Sequence, residues 1–268
     1  MQIDRCNALI TGASVGIGRE FARLLANRAQ SIVLVARRRA RLEELRDELT
    51  KRNPELTIHI RAIDLGQTAQ VKELVQSLEQ EKIEIDLLIN NAGLGDLGPF
   101  ATGDPARIES MLLVNTLALT LLTRQLLPAM LVKKRGAILN VSSSAGFLPV
   151  AQFSVYAATK AYVTSFSEAL RAELRGTGIS VCALCPGPVE TEFTQVAQRT
   201  EQTPLPADAQ IFHVSAAAVA RAGLAGIERD CPLVIPGLAM KIGMVIVRIM
   251  PMAIIRLAAG LSAKRTRS

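Results

Sequence analysis

The run Asn7-Ala-Leu-Ile-Thr11 leads straight into Gly12-Ala-Ser-Val-Gly16-Ile-Gly18, and Arg19 to Ala29 continues with Phe21, Leu24 and Leu25 at helical spacing. A strand that turns on glycines into a helix narrows the choice of fold more than any other stretch. Glycines permit a tight turn and close backbone approach, while a helix N-terminus offers unpaired N–H groups and a dipole suited to an anion. Gly12, Ser14, Gly16, Ile17 and Gly18 are therefore candidate phosphate contacts. The spacing is Gly-x3-Gly-x-Gly, not the commoner Gly-x-Gly-x2-Gly, and a bare turn and helix cap would use the same glycines.

Ser31 to Ala36 reads as a second buried strand. A dinucleotide fold commonly places Asp or Glu about 20 residues past the loop, against the adenosine ribose. Here Arg37, Arg38, Arg39 and Arg41 follow, and the first acid is Glu43. Guanidinium groups match a 2′-phosphate bidentately and a carboxylate would repel it, so NADP(H) is preferred over NAD(H), with Arg37 and Arg38 as its contacts. Arg39 and Arg41 also suit the solvated start of the next helix.

Strand-like runs recur at Thr57–Ile63, Ile85–Ile89, Gly136–Ser142, Ile179–Leu184 and Leu233–Ile235, alternating with helical segments. Asp64 and Leu65 close the third run, where an adenine ring would be met. Asn90-Asn91-Ala92-Gly93 closes the fourth, as a structural turn or as a cofactor contact. Pro105 to Leu131 reads as a helix broken at Pro128, with Asn115 in an apolar neighbourhood as a satisfied core amide or a water-holding site. Pro186, Gly187, Val189 and Thr191 follow the sixth run. Phe193 to Phe212 has little periodicity and reads as a mobile lid.

Chemistry concentrates in Tyr156-Ala-Ala-Thr-Lys160, whose phenol and ammonium would project from one helix face about one turn apart. A neighbouring cation stabilises a phenolate, so Lys160, together with a second positive charge such as an oxidised nicotinamide, is expected to lower the phenol from its ordinary value of about 10. Val163, Leu170 and Leu174 share that inward face. Ala158, Tyr162, Phe166 and Ala169 form a second apolar stripe, more than a monomer's outer face needs, and predict a second subunit.

Apolar residues make up 49% of the 268 and aromatics 3%, without tryptophan, so the core rests on aliphatic side chains, as buried parallel strands prefer. The four cysteines are too scattered for a disulfide framework, and Cys182 and Cys185 lack the second pair a zinc site needs, so no metal is expected. No signal peptide is expected ahead of the first strand, which together with the cysteines suggests a reducing cytoplasm. The formal net charge of +7 suits a phosphorylated cofactor or an anionic membrane surface. No nucleic-acid motif accompanies it. Neither His59 nor His213 has a triad context, so the serines do not read as hydrolytic.

Between Lys241 and Arg256 the only charges are Lys241, Arg248 and Arg256, on one stripe of an expected amphipathic helix, and Lys264, Arg265 and Arg267 follow. Its uncharged runs are too short to span a bilayer, so 241–268 reads as a peripheral membrane contact, a subunit contact or a wall of the pocket.

Thr11-Gly-x3-Gly-Ile-Gly18, Asn90-Asn-Ala-Gly93, Asn115, Ser143, Tyr156-x3-Lys160 and Pro186-Gly187, in that order, resemble the short-chain dehydrogenase/reductase family. The resemblance implies a doubly wound α/β Rossmann fold, a seven-stranded parallel sheet of order 3-2-1-4-5-6-7 with helices on both faces. Residues 1–238 would form one catalytic domain with its lid near 190–213, and 239–268 a basic extension. It implies Tyr156 as general acid and Lys160 as its pKa modulator and ribose contact. Ser143, thirteen residues before the tyrosine, would hold the carbonyl oxygen, and Asn115 would position a water. Asp64 and Leu65 would meet adenine, Asn91, Ala92 and Gly93 the ribose region, and Thr191 the carboxamide. The implied activity is NADPH-dependent reduction of a hydrophobic ketone or 3-oxoacyl carbonyl by a homodimer or homotetramer. A membrane-surface acyl reductase and a non-catalytic nucleotide-binding module are the alternatives.

Overall fold

The computed structural model describes residues 3–199, 212–251 and 253–256. Its strands are β1 (Asn7–Thr11), β2 (Ser31–Ala36), β3 (Thr57–Ala62), β4 (Leu87–Asn90), β5 (Gly136–Val141), β6 (Ile179–Leu184) and β7 (Leu233–Val234). They form one sheet in the order β3-β2-β1-β4-β5-β6-β7, parallel at every pairing. The helices are α1 (Gly16–Leu25), α2 (Arg39–Arg52), α3 (Thr68–Gln80), α4 (Pro105–Leu112), α5 (Leu119–Lys133), α6 (Ser154–Glu173), α7 (Glu192–Ala197), α8 (Ala216–Glu228) and α9 (Leu238–Ile249).

Successive strand residues point to opposite faces, and both faces are apolar. Ala8, Ile10, Ile32, Leu34, Ala137 and Leu139 meet α1, α2 and α8 through Phe21, Leu42 and Val219. Leu9, Val33, Val35, Leu88, Ile138 and Val181 meet α3, α5 and α6 through Val71, Leu122 and Leu170. Cys182 belongs to the first core while Cys185 approaches Thr164 of α6, so the two face opposite sides; all four cysteines are free thiols. β1 sits between β2 and β4, so the crossovers diverge there and open a crevice at the strands' carboxyl ends. Every candidate site segment lies at that end.

Three sequence expectations change. The long helix is not broken at Pro128, which lies inside α5; the irregularity is a wide π turn, Leu113–Ala118, around Asn115. Proline removes one backbone donor near the helix end, and the buried Leu126 and Met130 hold the helix on the sheet. This segment is long and apolar enough to cross a membrane, yet Val114, Ala118, Leu122 and Met130 pack in the second core. The start of the expected lid is helical, as α7, and 200–211 lie outside the described residues. The tail is not one helix: α9 ends at Met250, which is extended as a residue before proline prefers, and 253–256 resume beyond Pro251. Arg256 is thereby separated from the stripe of Lys241 and Arg248; Lys264, Arg265 and Arg267 lie outside the described residues.

Candidate active site

The glycine turn is built for close approach. Gly12 and Gly16 adopt φ of +66° and +55°, left-handed geometry that side chains disfavour. A Cβ on Gly18 would run into the Gly12 carbonyl and the Asn91 amide. Thr11 ties this loop to the turn after β4: its hydroxyl accepts the Asn91 and Ala92 N–H groups, both at 2.9 Å. The Asn91 amide donates to the Thr11 carbonyl at 2.9 Å. The Asn91 side chain thus helps hold the turn together. Val15 stands at the N-cap position just before α1 and its side chain caps nothing, so the helix's first N–H groups keep no side-chain cap. Ser14 is buried beside them and Ile17 packs on the first core. This cradle fits a pyrophosphate.

Arg37 and Arg38 stand exposed past β2. Arg38 donates to Glu192 of α7 at 2.8 Å, and Arg41 lies 3.9 Å from the same carboxylate. Arg39 and Arg41 also make the loose pairs with Glu43 and Glu44 expected of a solvated helix start. Asp64 uses one carboxylate oxygen on the Gly66 N–H, and Leu65 is buried behind it. Pro186 accepts the Ser144 N–H through its carbonyl, and Val189 packs on the first core. Thr191 faces Gly16, and Met240 of α9 fills the space a side chain on Gly187 would need.

Tyr156 and Lys160 are both buried on the inner face of α6. The ammonium lies 5.6 Å from the phenol ring centroid and donates to the Val141 carbonyl at 2.8 Å. Of the three consecutive serines, Ser142 is bound to the Lys160 carbonyl and to Thr164. Ser143, just past β5, accepts the Ala145 N–H at 3.1 Å, and of the three it is the one whose hydroxyl acts on the phenol, holding its pKa down against burial. Phe153 stacks on the ring at 4.2 Å and Phe193 of α7 closes on it at 5.4 Å. Gly93 lies against the Lys160 ammonium and the Asn115 amide. Asn115 accepts the Leu94 N–H and donates to the Leu94 carbonyl and to Thr159, which itself bonds the Tyr156 carbonyl. Both amide donors are taken, so the side chain is a satisfied core amide. It holds the loop after β4 to the tyrosine helix.

The protein's own groups set burial against the expected lowering of the phenol. Burial pushes the Tyr156 phenol up to about 12, opposed by the Ser143 hydrogen bond, and Lys160 does not depress it. The same burial brings the Lys160 ammonium down to about 8. Desolvation penalises the charged form of each, and it outweighs a cation held on a carbonyl and aimed at the ring's face. At neutral pH the pair is therefore a neutral phenol beside an ammonium.

Sequence reasoning passed over three contributors: Thr11, Thr159 and the ion cluster around Asp96. Asp96 is buried and binds Arg199 bidentately at 3.0 and 2.5 Å, with Arg107 at 3.5 Å. Its partner is a hundred residues away, so no local signal announced it. Among the described residues no three His, Cys, Asp or Glu side chains converge as metal ligands.

Known proteins carry the same framework. A family model described as short chain dehydrogenase matches residues 6–202. The NADP-dependent 3-hydroxy acid dehydrogenase YdfG of Escherichia coli (strain K12) is 37% identical over 190 residues, 70% of this chain and 75% of that protein. A short-chain dehydrogenase from Sphingobium yanoikuyae, solved in complex with NADPH, superposes with a TM-score of 0.78 at 34% identity, over 87% of this chain and 88% of its own. A bulky-bulky ketone specific alcohol dehydrogenase from Comamonas testosteroni gives 0.74 at 33% identity, over 87% and 86%.

Proposed function

The chain belongs to the short-chain dehydrogenase family, an NAD(P)-dependent oxidoreductase acting on CH–OH groups, and from that premise we propose that it reduces a hydrophobic ketone or 3-oxoacyl-type carbonyl with NADPH. The observation that carries the reading is the Tyr156 phenol and the Lys160 ammonium buried together on α6, 5.6 Å from ring centroid to nitrogen, with the Ser143 hydroxyl acting on the phenol. The exposed Arg37 and Arg38, with no Asp or Glu following β2 before Glu43, support NADPH over NADH. The relatives named for NADP and NADPH point the same way.

The glycine turn and the α1 N-terminus would hold the pyrophosphate and Arg37 and Arg38 the 2′-phosphate. The bound nicotinamide supplies the hydride. Reduction places negative charge on the substrate oxygen, and the protein's task is to meet it. Ser143 and Tyr156 provide two hydroxyl donors on one point, and Tyr156 gives its proton as the charge develops. A phenol near 12 is fully protonated at neutral pH yet far more acidic than an alcohol, so transfer to an alkoxide runs downhill. Lys160, buried one helical turn away, would hold the nicotinamide ribose beside the phenol. Asn115 acts as a positioning residue, fixing Thr159 and hence the tyrosine backbone. Phe153 and Phe193 give the substrate an apolar approach that suits a bulky ketone.

A panel of bulky ketones and 3-oxoacyl thioesters, followed by loss of nicotinamide absorbance, tests this. Turnover with NADPH well above NADH is expected, and a panel without turnover under either cofactor overturns the substrate class. Of the expected outer stripe, Phe166 is instead half-buried on the second core, where Tyr162 stacks on it at 5.9 Å; we also assign the remaining exposed Ala158, Tyr162 and Ala169, with the exposed Leu112 and Leu117, to a second copy of the chain. A monomeric mass in dilute solution contradicts that.

A further inference from the structure

Helix α9 has an apolar face that nothing among the described residues covers. Leu238, Ile242, Val245, Ile246 and Ile249 are all exposed, Ile242 at 53% and Ile249 at 79%. At about 100° per residue these positions fall within an arc of about 100°, on the side opposite Met240 and Met244. The two methionines are buried, and Met240 seats on Gly187. Arg248 pins the helix from its flank, pairing with Glu168 of α6 at 3.1 Å and lying 5.4 Å from the Phe147 ring centroid. The helix is thus anchored by one apolar side and presents a second one outward.

We propose that this face docks on an anionic lipid surface. Three observations select lipid. From residue 238 onward the chain carries Lys241, Arg248, Arg256, Lys264, Arg265 and Arg267 and no Asp or Glu. Lys241 and Arg248 flank the apolar arc on one side, as in helices that lie in a headgroup region. Twelve residues span only about 18 Å, too short to cross a hydrocarbon core of about 30 Å, so the helix lies on the surface. A second copy suits the face poorly, because a two-fold contact sets a patch against itself and would bring these cations together. Anionic headgroups instead neutralise each basic side chain near the surface. Ile254, exposed after the turn at Pro251, extends the apolar edge. Because Met240 also walls the loop at Gly187, docking would bring the substrate approach next to the bilayer.

Co-sedimentation of the full chain with vesicles of phosphatidylcholine alone, and of phosphatidylcholine mixed with phosphatidylglycerol, tests this at low and high salt. Wild type is expected to partition onto the mixed vesicles at least tenfold better than onto neutral ones, with the difference shrinking as salt rises. Ile242→Glu with Ile246→Glu is expected to lower that partition at least tenfold while NADPH affinity and sedimentation coefficient stay unchanged. Absence of wild-type binding to the mixed vesicles overturns the proposal without recourse to any variant, as does equal binding to neutral ones. Undiminished binding by the variant overturns the assignment to α9, and a smaller oligomer in the variant assigns the face to a second copy.

Discussion

Asp96→Asn should loosen α7 from the loop after β4 while sparing the sheet. The carboxylate is 3% exposed and takes two bonds from Arg199, with Arg107 beside it. Arg199 also donates to the Pro99 carbonyl and Thr102, and Arg107 to the Val196 carbonyl, so this one acid ties residues 95–103 to the end of α7. Each charge-assisted bond contributes about 1.5–3 kcal/mol net. Arg199 is partly exposed and regains some hydration when its partner is neutral, which leaves a loss of about 2–3 kcal/mol. At about 1.36 kcal/mol per decade, local opening rises roughly thirty- to 160-fold. The reporters are the Leu97 N–H, bonded to Ala197, and the Gly98 N–H, bonded to Gln152. Their hydrogen-exchange protection should fall by that factor, and KM for the carbonyl should rise more than kcat falls, because Phe193 rides on the same helix. The arginines hold the Asp96 carboxyl below its usual range. Its contribution is therefore present above the unfolded value of about 3.9 and lost as pH falls through the lowered folded one. Unchanged exchange at Leu97 and Gly98 would refute the reasoning.

Other outcomes follow from the same geometry. Arg38→Ala should weaken NADPH at least tenfold and leave NADH nearly unaffected, read by fluorescence titration of each. Glu192→Gln frees Arg38 from a competing carboxylate; the pair is exposed and contributes at most about 1 kcal/mol, so NADPH should tighten by no more than about fivefold. Gly18→Ala should lower the urea midpoint by the equivalent of about 1–3 kcal/mol and abolish NADPH binding, since its methyl group meets backbone. With the Lys160 ammonium at about 8, kcat/KM for NADPH should be level below that pH and fall above it as the charge is lost. A profile level to pH 10 would exclude the amine.

The strand alternation and the glycine turn were readable because they are local: buried parallel strands need unbroken aliphatic runs, and the crevice needs residues without Cβ. The Tyr156–Lys160 pair was readable because helical spacing alone places it. The direction of the phenol's shift was not. Proximity to a cation argued for a lower value, while the degree of burial, which only the packed sheet and Phe153 supply, decided for a higher one. Pro128 misled because propensity treats proline as a breaker wherever it falls, and here core packing overrides a single missing donor. The Asp96 cluster joins segments a hundred residues apart, beyond the reach of any window.

The most direct test is a single-turnover comparison of wild type and Tyr156→Phe with NADPH bound and a turned-over ketone. The phenyl ring keeps the stacking on Phe153 and removes only the hydroxyl. NADPH affinity should stay within about twofold and carbonyl reduction should fall at least a thousandfold, in keeping with loss of a general acid worth about 10²–10⁴ plus a hydrogen bond. Reduction by the variant at a rate near wild type would contradict the assignment of Tyr156 as the proton donor, and the mechanism with it.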